Sequence, residues 1–286
     1  MPITIRQGDF GAFFDAPFAV YGADTPYLSP LRSDLKRFLD KDQNPLFRDP
    51  GSDLAFFTAH DGARLLGRIT AHVHGGANRA HGISRGYFGY FDLADDAAVA
   101  AALLGRAEAW ARACSLTQLA GNFNLTAMQQ IGVVTDGFPQ APYTDQVWSP
   151  PHVARLLAAN GYAPQFGMTT FQLDLATAAP PAISARSQAV IDDPAFTWAP
   201  ITRATIPQRM EEARQILNAA FAQNPMFVPV TADEFRFQAR DMKWVMDPRI
   251  SAVLHWQGRP AACIIVIPDL NPFLARIRSR MGLTAP

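Results

Sequence analysis

Residues 86–138 read GYFGYFDLADDAAVAAALLGRAEAWARACSLTQLAGNFNLTAMQQIGVVTDGF, and this stretch decides the fold. Its aromatic run with interspersed glycine (Gly86, Tyr87, Phe88, Gly89, Tyr90, Phe91) predicts a strand whose backbone a ligand can approach closely. Aromatic side chains favour a pleated surface, and glycine puts no Cβ in the way. Asp95 and Asp96 then open a helix as caps. Val99, Leu103, Ala107, Trp110 and Cys114 recur at three- and four-residue steps, so one face of that helix is apolar and must pack on a sheet. A strand follows towards Gly121, and LTAMQQIGVV (residues 125–134) reads as a further helix. Strand, tight turn, helix, strand, helix is an α/β arrangement.

Working outward towards the N-terminus, Arg64–Val73 and Leu54–Ala59 are strand-like runs joined by His60-Asp61-Gly62-Ala63, where Asp-Gly signals a hairpin. Residues 75–85, GGANRAHGISR, read as a loop. Leu31, Leu35, Phe38 and Leu39 share one face of a helix that Asn44-Pro45 stops, FAVYGADTPY before it reads as turn chemistry, and Ile3–Arg6 opens the chain as a strand. Towards the C-terminus, Ser149 and Pro150 mark a helix start by capping and fixed dihedral, with Val153, Leu156 and Leu157 facing inward. Asn160-Gly161 closes that helix, and Thr169–Leu175 alternates Phe171, Leu173 and Leu175 as a strand. A first lobe is therefore expected over residues 1–176 and a linker rich in Ala, Pro and Ser over 177–197.

The pattern restarts in a second lobe expected over residues 198–286. Trp198–Arg203 reads as a strand, and Thr205 and Pro207 open a helix that Asn224-Pro225 stops. Thr231 with Glu234 forms a capping box for a helix running to Val245. Ile250–Trp256 and Ala261–Ile267 are strands about a turn at residues 257–260. This repeats the opening of the first lobe as an internal duplication. The sequence reaches Pro286 before any counterpart of residues 86–138, so the second lobe is expected to be incomplete, leaving a sheet edge through which two copies could pair as a homodimer.

Composition narrows the function classes. A length of 286 residues suits two lobes, and 49% hydrophobic with 17% charged residues is a core-forming composition. Lys plus Arg equals Asp plus Glu at 25 each, so no global field favours nucleic acid or an anionic membrane as partner. Cys114 and Cys263, the two cysteines, lie in apolar runs and are expected as buried small hydrophobes; so few thiols point to a reducing compartment. The opening MPITIRQGDFGAFF lacks the charged start and apolar stretch of a leader, and no run approaches the roughly 18 apolar residues of a membrane span, so a cytoplasmic location is expected.

With these pieces in place, the chain resembles the GNAT acyltransferase superfamily, and more specifically a group of large two-lobed bacterial GNAT-like proteins. The resemblance rests on GYFGYFDLADD, on Ala107-Glu108-Ala109-Trp110, on Gly121-Asn122-Phe123-Asn124 and on Asp136-Gly137-Phe138, supported by NPLF, NGYAPQF and IVIPDLNPFL. It implies a mixed sheet splayed between its fourth and fifth strands, with acetyl-CoA or another acyl-CoA inserted at the split. On that reading Phe88, Gly89, Tyr90, Phe91 and Asp92 line the pantetheine arm, while Asn122, Asn124 and Tyr143 face the acceptor, an amine.

Departures from the resemblance bear on activity. The glycine-rich turn that would cradle a pyrophosphate at a helix N-terminus is replaced by LADDAA, and Asp95 and Asp96 compete for the same amides while repelling an anion. The helix expected at residues 125–134 has no tyrosine to protonate a leaving thiolate; Tyr143 and Tyr162 lie downstream, where packing roles are the simpler expectation, so no catalytic residue is assigned. His72 and His74 point to one face of a strand with His81 nearby, but no carboxylate or cysteine completes a metal site, and loop-edge histidines are expected instead. Glu108 is expected to be solvated. Two functions follow: an acyl-CoA dependent N-acyltransferase joining a small-molecule thioester to an amine, or a non-catalytic GNAT-like module that binds a ligand or partner.

Overall fold

A computed structural model describes residues 2–22, 25–126, 128–174, 176–177, 182–224, 227–240 and 242–281. The chain forms two compact units: one comprises Met1–Tyr162, Phe221–Arg240 and Pro268–Pro286, the other Ala163–Ala220 and Asp241–Ile267.

The first unit is built on a sheet of β1 (Thr4–Gln7), β2 (Asp53–Asp61), β3 (Arg64–Val73), β4 (Arg85–Leu93) and β5 (Gln118–Ala120), in that order across the sheet. β1 to β4 pair antiparallel and β4 pairs parallel with β5, so the sheet is mixed, as the resemblance implies. Helices α1 (Phe10–Val20) and α2 (Arg32–Leu39) cover one face through Phe13, Phe14, Leu35 and Leu39, packed with Leu54, Tyr90 and Leu125. Helix α4 (Ala97–Ala113), preceded by the short α3 (Gly75–His81), covers the other face with α5 (Pro151–Ala159). Val99, Leu103, Leu104 and Ala107 meet Phe57, Ile69, Phe88, Leu156 and other apolar side chains there. Each large aliphatic side chain buried in this layer contributes roughly 1.5–3 kcal/mol.

The expected splay is present. β4 and β5 pair over three positions, Arg85 with Gln118 to Tyr87 with Ala120, and then separate. The divergence coincides with a bulge in β4: Arg68 pairs with Asp92 and Thr70 with Gly89, so Tyr90 and Phe91 together stand opposite Ile69, with Tyr90 at φ +46°. An inserted residue bends the strand and frees backbone groups from the ladder.

Several sequence expectations are corrected. Residues 125–134 form a loop and not a helix, because Leu125 (φ +74°) and Gly132 (φ +94°) take left-handed backbone; Ala127 lies outside the described residues. The loop closes on itself through Asn124 N–H to the Gln130 carbonyl and Gly132 N–H to the Asn122 carbonyl. Residues 169–174 make no strand, and Phe171 is 88% exposed, so its alternation reflects no buried face; Leu175 is not among the described residues. FAVYGADTPY begins inside α1, where Asp9 caps the helix and Pro17 is buried among its packing residues; tertiary packing overrides the turn preference. Ser149 is not the cap of α5: Pro150 holds that place, and the Ser149 hydroxyl accepts from Val134 N–H. Residues 75–81 are helical, not loop. Cys114 is half-buried and Cys263 exposed, both free.

In the second unit β6 (Phe196–Pro200), β7 (Ala252–Trp256) and β8 (Arg259–Ile264) form an antiparallel sheet in sequential order. Helix α7 (Ile206–Ala220) packs on it, with Glu212 and Ala213 buried, and α6 (Ala185–Asp192) and α9 (Met242–Val245) belong to the same unit. Strand, helix, then hairpin repeats the β1, α1, β2, β3 succession of the first unit. The capping box of Thr231 and Glu234 is present, but its helix α8 (Ala232–Gln238) stops well short of Val245, and α8 packs in the first unit together with α10 (Asn271–Ile277).

Candidate functional site

The bulge of β4 opens the wall of a cleft in the first unit, lined by Tyr27, Arg68, Tyr90, Phe91, Asp92, Asn122, Asn124, Trp148 and neighbouring residues. Its void offers about 20 Å³ to water centres, room for little more than one water. The segment after β5 closes it. Asn124 Oδ1 accepts from Tyr90 N–H (2.6 Å) and Asn122 Oδ1 from Phe91 N–H (3.2 Å), so two side-chain amides hold the amides that the bulge frees. Phe123 N–H donates to the Phe88 carbonyl (2.8 Å). Glycine makes this approach sterically available: a Cβ on Gly89 would stand 2.1 Å from the Phe123 carbonyl oxygen, and one on Gly121 2.5 Å from that of Phe88. The glycine spacing led to the expectation of a ligand here, and the close neighbour is instead the chain's own backbone.

The floor of the cleft is a buried ion pair. Arg68 is fully buried; its Nε donates to Asp92 Oδ2 (2.7 Å), one terminal nitrogen donates to the Phe13 carbonyl (3.0 Å) and the other to the Tyr27 hydroxyl (2.6 Å). Tyr21 donates to the other Asp92 oxygen (3.0 Å). The guanidinium also lies 4.8 Å from the Phe13 ring centroid and 5.4 Å from that of Tyr90. Burial works against the charge on Arg68, and the Tyr27 and Asp92 side chains outweigh it. Burial likewise raises the phenols of Tyr21, Tyr27 and Tyr90, so each keeps its proton. Neither Arg68 nor Tyr27 carries a local sequence signal; the Gly67-Arg68 step in a strand-like run would have been the only hint.

The sequence-expected site residues fall into three groups. Tyr90, Phe91, Asp92, Asn122 and Asn124 converge on the cleft. Phe88 turns to the opposite face and packs on Phe91 and Tyr162, while Gly89 serves the backbone contact just described. Tyr143 is 42% exposed in a loop and is not among the cleft residues. Tyr162 donates to Glu108 (3.1 Å), which also pairs with Arg112, so Glu108 is a held partner and not a solvated acid. Asp96 accepts from Ala98 N–H (2.8 Å) and Val99 N–H (3.2 Å) as the cap of α4, whereas Asp95, expected to share that role, pairs with Arg155; the helix N-terminus is occupied by the Asp96 carboxylate.

His72 lies inside β3, while His74 follows the strand as the residue before α3 and His81 ends α3, so the loop-edge expectation holds for the last two and fails for His72. His72 and His74 are 0% and 3% exposed, and His81 is elsewhere, its Nε2 donating to the Phe227 carbonyl (3.1 Å). Among the described residues no three His, Cys, Asp or Glu side chains come together as a metal site, and no helix is long and apolar enough to cross a membrane.

No protein-family model matches the chain. It is similar to a bacterial ceramide synthase. That protein, from Caulobacter vibrioides, is 26% identical over 270 residues, covering 94% of this chain and 70% of its own length. Protein YghO of Escherichia coli is 25% identical over 283 residues, covering 97% of this chain and 70% of its own. Among solved structures, a tandem GNAT protein from the clavulanic acid biosynthesis pathway aligns over 93% of this chain and 79% of its own, at a TM-score of 0.46 and 15% identity.

Proposed function

We propose that the first unit is an acyl-CoA dependent N-acyltransferase acting on a long-chain amine. The observation that carries this reading is the β4 bulge, where the Tyr90 and Phe91 amides face a cleft and are held by the side-chain amides of Asn122 and Asn124 in place of a neighbouring strand. A pantetheine arm is itself a chain of amides, so it can exchange for those two side chains without leaving a donor unpaired. In the reaction the amine nitrogen attacks the thioester carbonyl, the C–S bond breaks, and one proton passes overall from nitrogen to sulfur. Tyr27, which burial keeps protonated and whose hydroxyl accepts from Arg68, is the cleft phenol placed to give the thiolate its proton, with the guanidinium offsetting part of the cost of the phenolate. The similarity to a protein named for ceramide synthesis makes long-chain amino alcohols the acceptor class to try first.

Thermal denaturation with acetyl-CoA, long-chain acyl-CoAs and free CoA tests the reading, since a ligand selective for the native state raises the midpoint. A rise with an acyl-CoA, followed by amide formation with a long-chain amino alcohol, is expected; no rise with any of them refutes the acyltransferase. The second reading, a binding module without catalysis, is favoured by Asp96, whose carboxylate occupies the α4 amides that a pyrophosphate would need.

A further inference from the structure

On one face of β3, Arg68, Thr70 and His72 form a polar row that His74, the residue after the strand, continues, and every member is nearly or fully buried, at 0–3% exposure. Arg68 is fully paired, as described. Beyond it the row is not: the Thr70 hydroxyl, both ring nitrogens of His72 and Nε2 of His74 have no partner in good hydrogen-bond geometry, the Leu125 carbonyl being the one acceptor close to the two rings. Unpaired buried polar atoms cost about 1–3 kcal/mol each, and a continuous run of them is exceptional in a folded core. The run lies beside the bulge, since Thr70 pairs with Gly89 and His72 with Tyr87. Aromatic rings enclose it: Tyr87 stacks on His72 at 5.7 Å between centroids, and Phe123 lies 6.4 Å from His72 and 6.3 Å from His74. The Leu125 carbonyl is near enough to both rings to favour their charged forms, but burial prevails and keeps both neutral.

We propose that Thr70, His72 and His74 bind the polar head of the acyl acceptor, and that this head is an amino alcohol. The assignment rests on the N-acyltransferase reading and deepens it. A hydroxyl and a neutral imidazole each present one N–H or O–H donor together with an acceptor lone pair. Their ligand must therefore supply donors and acceptors at once. A carboxylate or phosphate supplies acceptors only and would face unpaired lone pairs. A divalent cation would sit on neutral ligands, because the nearby carboxylate of Asp49 is taken up by Arg79 and Ser52. A neutral amine and a neighbouring hydroxyl match the row, and the aromatic walls suit the carbon frame between them. Thr70, opposite Gly89, stands at the end of the row next to the Tyr90 and Phe91 amides, so the amine belongs there and the hydroxyl at the histidines. Phe123 packs over both histidine rings, and Asn122 and Asn124 on the same segment hold the bulge, so the proposed binding requires residues 121–126 to move off the row, a movement that would free the bulge amides as well.

The test uses the full chain with 15N-labelled histidine, titrated with serinol as an amino-alcohol probe and with butyrate as the acid control, alongside kinetics of Thr70→Val and His72→Gln. The expected result is that serinol, and not butyrate, shifts the His72 and His74 ring resonances. Thr70→Val is expected to be at least as heat-stable as the parent, since it removes an unpaired hydroxyl, while KM for the amino alcohol rises about tenfold and KM for the acyl-CoA stays unchanged. Ring resonances indifferent to serinol, or a Thr70→Val variant that is destabilised with unchanged kinetics, overturn the assignment. Failure of acyl-CoA to raise the denaturation midpoint overturns the acyltransferase reading instead, and the serinol titration still decides the row.

Discussion

Arg68 and Asp92 show how strongly single residues determine this unit. A buried ion pair is held by mutual compensation, so removing one partner strands the other charge. Asp92→Ala is expected to cost about 3–5 kcal/mol in chemical denaturation, whereas replacing both residues with apolar ones of similar volume should recover most of that. A loss under 1 kcal/mol for the single variant would mean that water reaches the guanidinium. The histidine row makes a separate prediction about pH. Burial lowers the His74 pKa from its ordinary 6.5 to about 4, against the Leu125 carbonyl and Asp49, and burial together with the nearby His74 ring lowers that of His72, against the Leu125 carbonyl. A histidine whose folded pKa lies below its unfolded one leaves stability intact above about pH 6.5 and erodes it as the pH falls towards the folded pKa. For His74 alone the full effect is on the order of 3 kcal/mol. Urea midpoints should therefore drop between pH 7 and pH 5, and a flat profile in that window would contradict the buried neutral rings.

At the scale of elements, β4 and the segment after β5 are two halves of one device. The bulge frees two amides, Gly89 and Gly121 admit the facing backbone, and two asparagines take the places a strand would fill. Asn124→Ala leaves Tyr90 N–H buried and unpaired, and should lower stability by about 1–3 kcal/mol; binding of an acyl-CoA, if the proposed exchange is right, should recover part of that loss. Equal destabilisation with and without the thioester would separate the asparagines from ligand binding. Helix α4 illustrates the opposite case, an element explained by its own residues. Asp96→Ala is expected to cost about 1 kcal/mol by removing the cap on Ala98 and Val99, readable as a lower thermal midpoint.

At the scale of the whole molecule, the first unit draws on three separate stretches of chain. Within it the Ser279 hydroxyl donates to the Ser29 carbonyl (2.6 Å), Arg37 donates to the Phe237 carbonyl (2.6 Å), and Phe38 packs on Phe237 at 5.9 Å between centroids. A fragment ending at Tyr162 should consequently unfold at a lower temperature than the full chain and bind a hydrophobic dye, and equal midpoints would show that the later stretches add nothing to its core. Local regularities are readable in the sequence: the hairpin through Gly62, the apolar face of α4 and its aspartate cap follow from periodicity and turn chemistry, whereas the split sheet and the grouping of Tyr90, Phe91, Asp92, Asn122 and Asn124 were expected only through the resemblance to a known superfamily. Those signals are local because they arise from repeats of two or 3.6 residues and from backbone preferences of single positions. What only the tertiary structure decided was where side chains from distant segments meet: Arg68 with Tyr27 and Phe13, two asparagines on a bulged strand, and histidines packed beneath Phe123. Burial and pairing are properties of the neighbours a residue acquires on folding, and neighbours drawn from far along the chain leave no period in the sequence.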